Sequence, residues 1–554
     1  MNNQTWWKWG DPDKSFHLNS YPKLRNFLEH TWNKKLIDDF RPTFIFEKIA
    51  KETFSVNQFK DIFPNLKLNQ FSNTKNERLK FALGKSYFDV IRVFTDDVVS
   101  APDFVLSPNT EGEVYYILQQ CEIHGISVIT FSGGSNVTGA FNHKKQGVTC
   151  TLNLRKLNRL LEIDTVSNTA TFEAGIMGPE LEKLLNEKGF TLGHFPQSFE
   201  YSALGGWIAT RSAGQESGLY GKIEDMVLGL TVVAPRGIIT NEDYPKHASG
   251  IDIHPLFMGS EGTLGVITKA KVKISTIPKK YKWIVAIFKD FNMGTKAVQE
   301  LVQAGVHPAI CRLSDPMETK MLSFFSRSEN TGIKKIIQDF YKKRLKSQGF
   351  GEPSILMLRF AIKNEADEAI VKMAKKIIKT FDSKLLPSNI SADWESNRFS
   401  LPYLRDTLIE HRVLIDTFET VAYWKNLTPL YNSVSVALKA TSNFFDKGGI
   451  LFCHISHSYE TGASLYFTII APQELDNEVA QWKKIKSVVS EAIITNNGAI
   501  SHHHGVGKDH KKWYLQKLGI ESRLLLQAIK AHLDPKDILN PGSLFDEVKE
   551  IKQD

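Results

Sequence analysis

Short apolar runs and helically spaced apolar residues alternate along most of this chain, which predicts a mixture of strands and helices. Residues 1–98 are typical of helix and loop. From there to about residue 277, the pattern predicts an α+β block. The elements of this block are helices at 113–124 and 179–187 and strands at 103–108, 125–131, 147–152, 169–174, 226–234 and 265–274.

From residue 281 the strand-like runs become longer. Runs at 282–288 and 354–360 are each followed by a helical pattern, at 295–304 and 365–380. This order of strand, helix, strand and helix indicates a ferredoxin-like substrate domain. The last stretch, from about residue 501, has a helical pattern again.

Composition and charge exclude several classes of protein. With 554 residues, of which 42% are hydrophobic, the chain is long enough for more than one domain. It has no run of eighteen uncharged apolar residues, and its first residues lack the apolar region of a secretory signal. The net charge of +8 is spread in small basic groups, so we expect a solvated surface and no nucleic-acid partner. Four widely separated cysteines argue for a reducing compartment and against a zinc ribbon.

Three adjacent histidines, His502, His503 and His504, lie between glycines in the segment 498–508. In an extended chain, His502 and His504 would share one face and His503 would lie on the other. This arrangement would bring two groups that exchange protons near neutral pH into one small volume. Surface histidines and a metal site are the alternatives, since imidazole is a common metal ligand.

Three loops rich in glycine and small hydroxylated residues lie at 131–139, 193–214 and 258–268. Backbone N–H groups that are free of side-chain bulk can hold phosphate oxygens, and glycine allows a close approach. The first loop lacks the Gly-x-Gly-x-x-Gly order of a dinucleotide fingerprint, and a strand is predicted where such a loop would open a helix. Together the loops indicate one large, flat, phosphorylated cofactor rather than three unrelated turns.

The three loops resemble the FAD-binding fold of the vanillyl-alcohol oxidase and para-cresol methylhydroxylase superfamily. Within it, the chain most resembles the alkyldihydroxyacetonephosphate synthase family of ether-lipid synthesis. The resemblance covers nearly the whole chain. The segments that carry it are 7–10, 219–225, 234–237, 258–268 and 501–508. The string from His502 to Lys508 is specific to the family, whereas the Gly-Ser-Glu-Gly-Thr-Leu-Gly string at 259–265 marks only the superfamily.

The resemblance implies a two-part FAD-binding domain of the vanillyl-alcohol oxidase type with a ferredoxin-like cap. The implied regions are an N-terminal helical extension (1–98), the FAD-binding domain (99–277), the substrate or cap domain (278–500) and a C-terminal helical segment that closes the active site (501–554). FAD would be bound without a covalent link, and His194, in the second loop, is the residue to examine for a histidyl link. The implied FAD-binding residues are Thr130, Phe131, Ser132, Gly133, Gly134, Ser135, Asn136, Gln197, Ser198, Ser202, Ala203, Thr210, Arg211, Ser212, Ala213, Glu261, Gly262, Thr263, Leu264, Gly265, Val266 and Ile267.

The resemblance also implies the residues that act on the substrate. Tyr466 takes the place of the family's catalytic tyrosine, Arg312 that of an essential arginine near the flavin, and Arg405 that of an arginine that holds the substrate phosphate. His502, His503 and His504 would move a proton together with Tyr466, whose phenol would be tuned by positively charged imidazoles. No metal site is expected. Taken singly, each residue has a structural alternative, such as ion pairs of Arg312 with Asp315 and of Arg405 with Asp406.

The implied reaction exchanges the acyl chain of acyl-dihydroxyacetone phosphate for a long-chain fatty alcohol. The products would be alkyl-dihydroxyacetone phosphate and a fatty acid, with no net redox change. The alternative enzyme is an FAD-dependent dehydrogenase of 2-hydroxy acids, such as D-lactate or glycolate, on the same fold. A binding module derived from a flavoprotein is a further alternative, although the retained loops and Tyr466 argue against it.

The chain departs from the family at two places. Ser132 stands where the first loop usually has another glycine, and residues 550–554 do not form a peroxisomal tripeptide. The segment 23–30 is only a faint match to an N-terminal peroxisomal signal, so a peroxisomal address is expected only if the protein is eukaryotic. We therefore expect a cytoplasmic protein. We also expect a homodimer that makes peripheral contact with a membrane.

Overall fold

The computed structural model describes residues 6–11, 13–14, 16–38, 40, 42, 49, 53–95, 101–141, 147–241, 244–324 and 343–545. The peroxisomal tripeptide position considered above lies outside these residues. Helices of the first half of the chain are α1 (Pro22–Trp32), α2 (Val56–Ile62), α3 (Lys75–Leu79), α4 (Tyr87–Phe94), α5 (Glu111–His124), α6 (Gly178–Asn186), α7 (Leu204–Thr210), α8 (Ser217–Tyr220) and α9 (Ile223–Met226).

A four-stranded sheet begins the flavin-binding half. Its strands, in chain order, are β1 (Phe71–Ser72), β2 (Phe104–Leu106), β3 (Ser127–Phe131) and β4 (Thr149–Asn153). Their order in space is β1-β2-β4-β3, and β4 is parallel to both of its neighbours. The region before residue 98 therefore contributes one short strand, β1, which the pattern missed because two residues are too few to show alternation.

A five-stranded antiparallel sheet completes this half. It consists of β5 (Leu160–Asp164), β6 (Thr169–Glu173), β8 (Val227–Ala234), β9 (Gly237–Thr240) and β10 (Val266–Lys273), in the order β5-β6-β10-β8-β9. On β10, buried Ala270 and Val272 alternate with Lys269, Lys271 and Lys273, so one face packs on the core. Two further strands of two residues each, β7 (Phe190–Thr191) and β11 (Ser275–Thr276), pair with each other in an antiparallel arrangement.

The second half is built on one seven-stranded antiparallel sheet. Its strands are β12 (Lys280–Phe288), β13 (Ile310–Ser314), β14 (Ser354–Ile362), β15 (Ser383–Leu386), β16 (Val413–Tyr423), β17 (Ile450–Ile455) and β18 (Gly462–Pro472). The order β15-β12-β14-β13-β17-β18-β16 begins with a four-stranded ferredoxin-like arrangement, which confirms the predicted cap architecture. A second strand–helix–strand–strand unit joins it edge to edge, through the pairing of β13 with β17.

Helices of this half are α10 (Phe291–Gln303), α11 (Pro316–Leu322), α12 (Glu365–Lys379), α13 (Ala392–Asn397), α14 (Leu401–Glu410), α15 (Trp424–Ser442) and α16 (Glu478–Thr495). One large apolar core joins the sheet to these helices, except α13, and to α1 and α4. The chain then returns to the flavin-binding half through α17 (Lys511–Leu518) and α18 (Ile520–Leu533), where Leu539 forms a bridge with Val128. None of the helices in the described ranges is both long and apolar enough to cross a membrane.

Candidate active site

A cavity of about 400 Å³ lies between the flavin-binding half and the seven-stranded sheet. All three glycine-rich loops contribute to its wall. The predicted FAD-binding residues that line it are Thr130, Ser132, Gly133, Gly134, Ser135, Asn136, Gln197, Ser198, Ser202, Ala203, Thr210, Ser212, Ala213, Glu261, Gly262, Gly265, Val266 and Ile267. Loops that are far apart in sequence therefore share one surface.

Four of the predicted FAD-binding residues do not line this cavity. Phe131 packs against two other phenylalanines, and Leu264 lies in the apolar core. The half-exposed Arg211 forms an ion pair with Glu224 at 3.5 Å, and the hydroxyl of Thr263 donates to the carbonyl of Ser260. Their side chains support the loops rather than face the cavity.

The cavity wall fits FAD in two respects. Buried side-chain oxygens of Thr130, Gln215 and Asn540 line it and have no hydrogen-bond partner among the described residues, so they are available to a polar ligand. The first and second loops also approach each other closely at this wall, because a Cβ at Gly133 would lie 2.2 Å from the carbonyl oxygen of Tyr201. His194 is fully buried, bonds to the Ser212 hydroxyl at 2.7 Å and does not line the cavity, which argues against a histidyl link.

A row of polar side chains crosses four neighbouring strands on the cavity face of the seven-stranded sheet. Its members are Arg312 on β13, His454 on β17, Tyr466 on β18 and Glu419 on β16. His454 and Glu419 lie directly opposite Tyr466 on its two sides, so their side chains project from the same face. The rings of His454 and Tyr466 stack with their centroids 4.8 Å apart. Strand register therefore brings these residues together.

Arg312 is held at the cavity wall by a buried carboxylate and an imidazole. Its guanidinium lies 2.7 Å from Glu318 and 3.1 Å from Nε2 of His454. Although burial opposes ionisation, the Arg312 charge holds the pKa of Glu318 at about 2. The ion pair with Asp315 that we considered is not the one formed, because Asp315 instead caps α11 and accepts from the backbone N–H of Cys453.

The triple histidine is not extended, and the expectation that His502 and His504 share a face is wrong. The backbone bends around the carboxylate of Glu419, which accepts the N–H groups of His502 at 2.5 Å, His503 at 3.1 Å and His504 at 2.9 Å. As a result, His503 and His504 line the cavity. His502 points away from it and bonds through Nε2 to the hydroxyl of Tyr459 at 2.7 Å.

The electrostatic environment of Tyr466 also differs from the prediction. Burial lowers the pKa of His504 to about 3 and that of His502 well below its usual range, so these two rings are neutral near pH 7. Burial also raises the pKa of Tyr466 to about 12. The expected tuning of the phenol by charged imidazoles is therefore wrong for these two rings, and Tyr466 keeps its proton at neutral pH. The Tyr466 ring lies 5.6 Å from the ring of His504 and 5.9 Å from that of His503.

Arg405 lines the cavity from a different element, the helix α14. It forms the ion pair with Asp406 that we considered as its structural alternative, at 2.6 Å, and it donates to the carbonyl of Lys85. Asp406 also accepts the backbone N–H of Trp9 at 2.5 Å, so the N-terminal Trp-Gly segment packs over this helix. Lys85 itself lines the cavity, and burial lowers its pKa to about 8.

Another histidine, His457, lies beside the triple histidine. Ring nitrogens of His457, His502 and His503 lie within 4.8 Å of one another, a spacing that a metal ion could bridge. However, Nε2 of His457 bonds to the carbonyl of Gly214 at 2.9 Å and must donate, so this nitrogen has no lone pair for a metal.

Sequence reasoning missed three residues of the site: Glu419, Glu318 and His454. Glu419 and His454 each interrupt an apolar strand-like run, which was the available signal. Glu318 lies in the first turn of α11, where an acidic residue is commonly explained by the helix dipole. Its contact with Arg312 could be seen only in three dimensions.

Comparisons with known proteins identify the family of the chain. The family model for the C-terminal domain of FAD linked oxidases matches residues 277–544, and the FAD binding domain model matches residues 102–242. The alkyldihydroxyacetonephosphate synthase of Dictyostelium discoideum is 32% identical over 551 residues, which cover 98% of this chain and 86% of the relative. The synthase of Trypanosoma brucei brucei is 31% identical and covers 84% of this chain and 77% of its own length.

A solved structure of alkyldihydroxyacetonephosphate synthase superposes with a TM-score of 0.81 at 28% identity, covering 98% of this chain and 99% of that one. Relatives of the alternative type are more distant. The glycolate oxidase subunit of Bacillus subtilis is 26% identical over 453 residues, which cover 81% of this chain and 90% of its own. FAD is thus the cofactor, and the chain belongs to the alkyldihydroxyacetonephosphate synthase family.

Proposed function

We propose that this protein exchanges the acyl chain of acyl-dihydroxyacetone phosphate for a long-chain fatty alcohol, with release of a fatty acid and no net redox change. The observation that carries the proposal is the row from Arg312 to Glu419, which places Tyr466, His503 and His504 at one wall of the cavity formed by the flavin loops. Family membership supports the same reaction.

Bound FAD supplies an electron-accepting ring that stabilises negative charge at the substrate carbon. The chain's own residues supply binding and proton transfer. Arg405 offers a fork of N–H donors that suits a phosphate and is positioned by Asp406. The neutral His504 ring can accept the proton that leaves the substrate carbon, and the protonated Tyr466 can donate one. Arg312 keeps a fixed positive charge at the same wall through its pair with Glu318.

We propose that the loop residues predicted above bind FAD and that the regions 1–98, 99–277, 278–500 and 501–554 are the functional divisions of the chain. We also propose a cytoplasmic homodimer that contacts membranes peripherally, since both substrates carry long alkyl chains. Gel filtration and flotation with phospholipid vesicles test the last two points.

One experiment separates the synthase from the dehydrogenase. Purified protein is incubated without oxygen, either with palmitoyl-dihydroxyacetone phosphate and hexadecanol or with D-lactate. We expect alkyl-dihydroxyacetone phosphate and palmitate in equal amounts from the first mixture. Bleaching of the flavin by D-lactate that an electron acceptor reverses, without any alkyl product from the first mixture, would contradict the proposal.

A further inference from the structure

Glu419 is the buried centre of the triple-histidine segment. Its side chain is 0% exposed and does not line the cavity. Besides the three histidine N–H groups, its carboxylate accepts the hydroxyl of Ser501 at 2.5 Å. Although burial alone would raise it, the neighbouring imidazoles, that of His503 first and then that of His504, hold the pKa of Glu419 well below its usual range. A charged carboxylate with this many fixed donors is a rigid anchor for the backbone.

The same carboxylate also faces the edges of two imidazoles. Nδ1 of His503 lies 3.3 Å from one oxygen, and Nδ1 of His504 lies 3.7 Å from the other. When Nδ1 carries its proton toward a carboxylate, the other ring nitrogen, Nε2, is left as the acceptor. Both rings line the cavity.

A second carboxylate holds the other end of the segment from a different part of the molecule. Glu261, in the third flavin loop, accepts the N–H groups of Val506 at 2.5 Å and Gly507 at 2.8 Å. The segment is therefore attached to the seven-stranded sheet at one end and to the flavin loops at the other. Loss of the Glu419 charge should loosen the histidines while the Glu261 contacts keep the segment in place.

We propose that Glu419 is a positioning residue for proton transfer, because its carboxylate fixes the backbone of His502, His503 and His504 and faces Nδ1 of His503, so that the two cavity-lining rings are held in place for the substrate. This inference rests on the proposed function. When an imidazole accepts the substrate proton at Nε2, the ring becomes positively charged and the carboxylate stabilises that charge. The proton stays on the imidazole until it is returned, and Glu419 remains ionised throughout.

The test is Glu419→Gln, with Glu182→Gln as the matched control. Like Glu419, Glu182 is a buried carboxylate that does not line the cavity and that accepts two backbone N–H groups and a hydroxyl, but these come from Leu192, Gly193 and Thr191 rather than from the histidine segment. We expect Glu419→Gln to lower kcat about 100-fold or more, within the range that a general base contributes. KM and flavin content should change by less than about threefold, since substrate binding is assigned to other residues.

Hydrogen exchange followed by mass spectrometry gives a readout that does not depend on activity. In Glu419→Gln, the amides of residues 502–504 should exchange at least about tenfold faster, while those of Val506 and Gly507 stay protected by Glu261. Glu182→Gln should leave both the exchange of this segment and kcat unchanged. If Glu419→Gln does not fold, Glu419→Asp is the second variant. Its carboxylate keeps the charge, but the shorter side chain lies farther from residues 502–504. The same loss of kcat and the same faster exchange are expected.

If wild-type protein forms no alkyl product, the proposed function is refuted. The hydrogen-exchange experiment then still tests whether Glu419 fixes the backbone of residues 502–504. Active wild-type protein with a Glu419→Gln variant that keeps kcat within about threefold would refute only the positioning role. A loss of kcat that is equal in Glu182→Gln would also overturn it, because any buried carboxylate would then have the same effect.

Discussion

The two halves of the seven-stranded sheet, β12 to β15 and β16 to β18, each begin with strand, helix and strand but differ in polarity. In the first half, β12 buries five consecutive apolar residues at 284–288, and β13 contributes Arg312 to the cavity. In the second half, β16 carries Asp416, Thr417 and Glu419 in its middle, and β18 carries Tyr466. The comparison indicates that one unit serves mainly as scaffold while its neighbour carries the chemistry.

This difference has a physical consequence. Two acidic groups of the second half are satisfied by partners on other elements: the half-buried Asp416 by the indole N–H of Trp482 at 2.7 Å, and the buried Glu419 by the segment 501–504. Removing one partner leaves the other buried without a hydrogen bond. Stability and activity should therefore be separable in the first half and more closely coupled in the second.

The largest effect is expected from a substitution in the apolar core of the first half. Leu358 is 0% exposed at the centre of β14, between β12 and β13. Leu358→Ala should lower the free energy of unfolding by about 2–5 kcal/mol through the lost transfer energy and the cavity left behind. Urea denaturation measures this change. Tyr423→Ala, at a 64% exposed side chain on β16, is the control and should change it by about 0.5 kcal/mol or less.

The kcat of folded Leu358→Ala protein should stay within about twofold of wild type at a temperature where it is fully folded. A large loss of kcat at full flavin content would show that the first half also takes part in the chemistry.

Next in size is removal of the proton-transfer groups. Tyr466→Phe and His504→Ala should each reduce turnover by about 100-fold or more, because each removes a group that donates or accepts a proton at the cavity wall. The double variant should lose less than the product of the two single effects, since residues that act as a unit are not additive. Single-turnover assays with flavin content measured in parallel check this. If the loss of turnover in the double variant equals the product of the two single losses, Tyr466 and His504 act independently, and the proposed joint proton transfer is contradicted.

Much of this architecture could be predicted from local pattern. Strands such as β6 and β10, the cap order and the three loops follow from alternation, glycine content and family motifs. The conformation of the triple histidine could not be predicted, because it depends on Glu419, which is more than eighty residues earlier in the chain. The protonation of His504 and Tyr466 could not be predicted either, because burial, rather than sequence neighbours, sets their pKa values.

A smaller effect is expected from a substitution on α14. Arg405→Ala should weaken binding of acyl-dihydroxyacetone phosphate by about 1.5–3 kcal/mol, the usual value for a hydrogen bond to a charged group. This corresponds to one to two decades in affinity. Arg159→Ala, which removes an arginine whose side chain is 67% exposed, is the control. KM and Kd measured with the phosphorylated substrate test this, and an unchanged Kd with normal melting would remove Arg405 from the phosphate site.

The pH dependence should be weaker still. His504 loses its acceptor role only as pH falls toward a pKa of about 3, and Tyr466 loses its proton only as pH rises toward about 12. Between pH 6 and 9, titration of these two groups should therefore change kcat by less than about twofold. A profile of kcat against pH in wild type and His504→Ala checks this. An acid limb near pH 6.5 that disappears in His504→Ala would contradict the neutral, buried state of this ring.

The smallest effect should come from metal removal. His457, His502 and His503 have nitrogens close enough for one ion, but their hydrogen bonds already occupy these atoms. His457 donates to the Gly214 carbonyl, His502 bonds to Tyr459, and Nδ1 of His502 and His503 share one contact at 2.9 Å. Dialysis against a chelator should leave kcat within about twofold, and elemental analysis should find less than one metal per chain. If the purified protein instead holds one zinc per chain, and His502→Ala loses it, these histidines form a metal centre. Proton transfer by free imidazoles would then be contradicted.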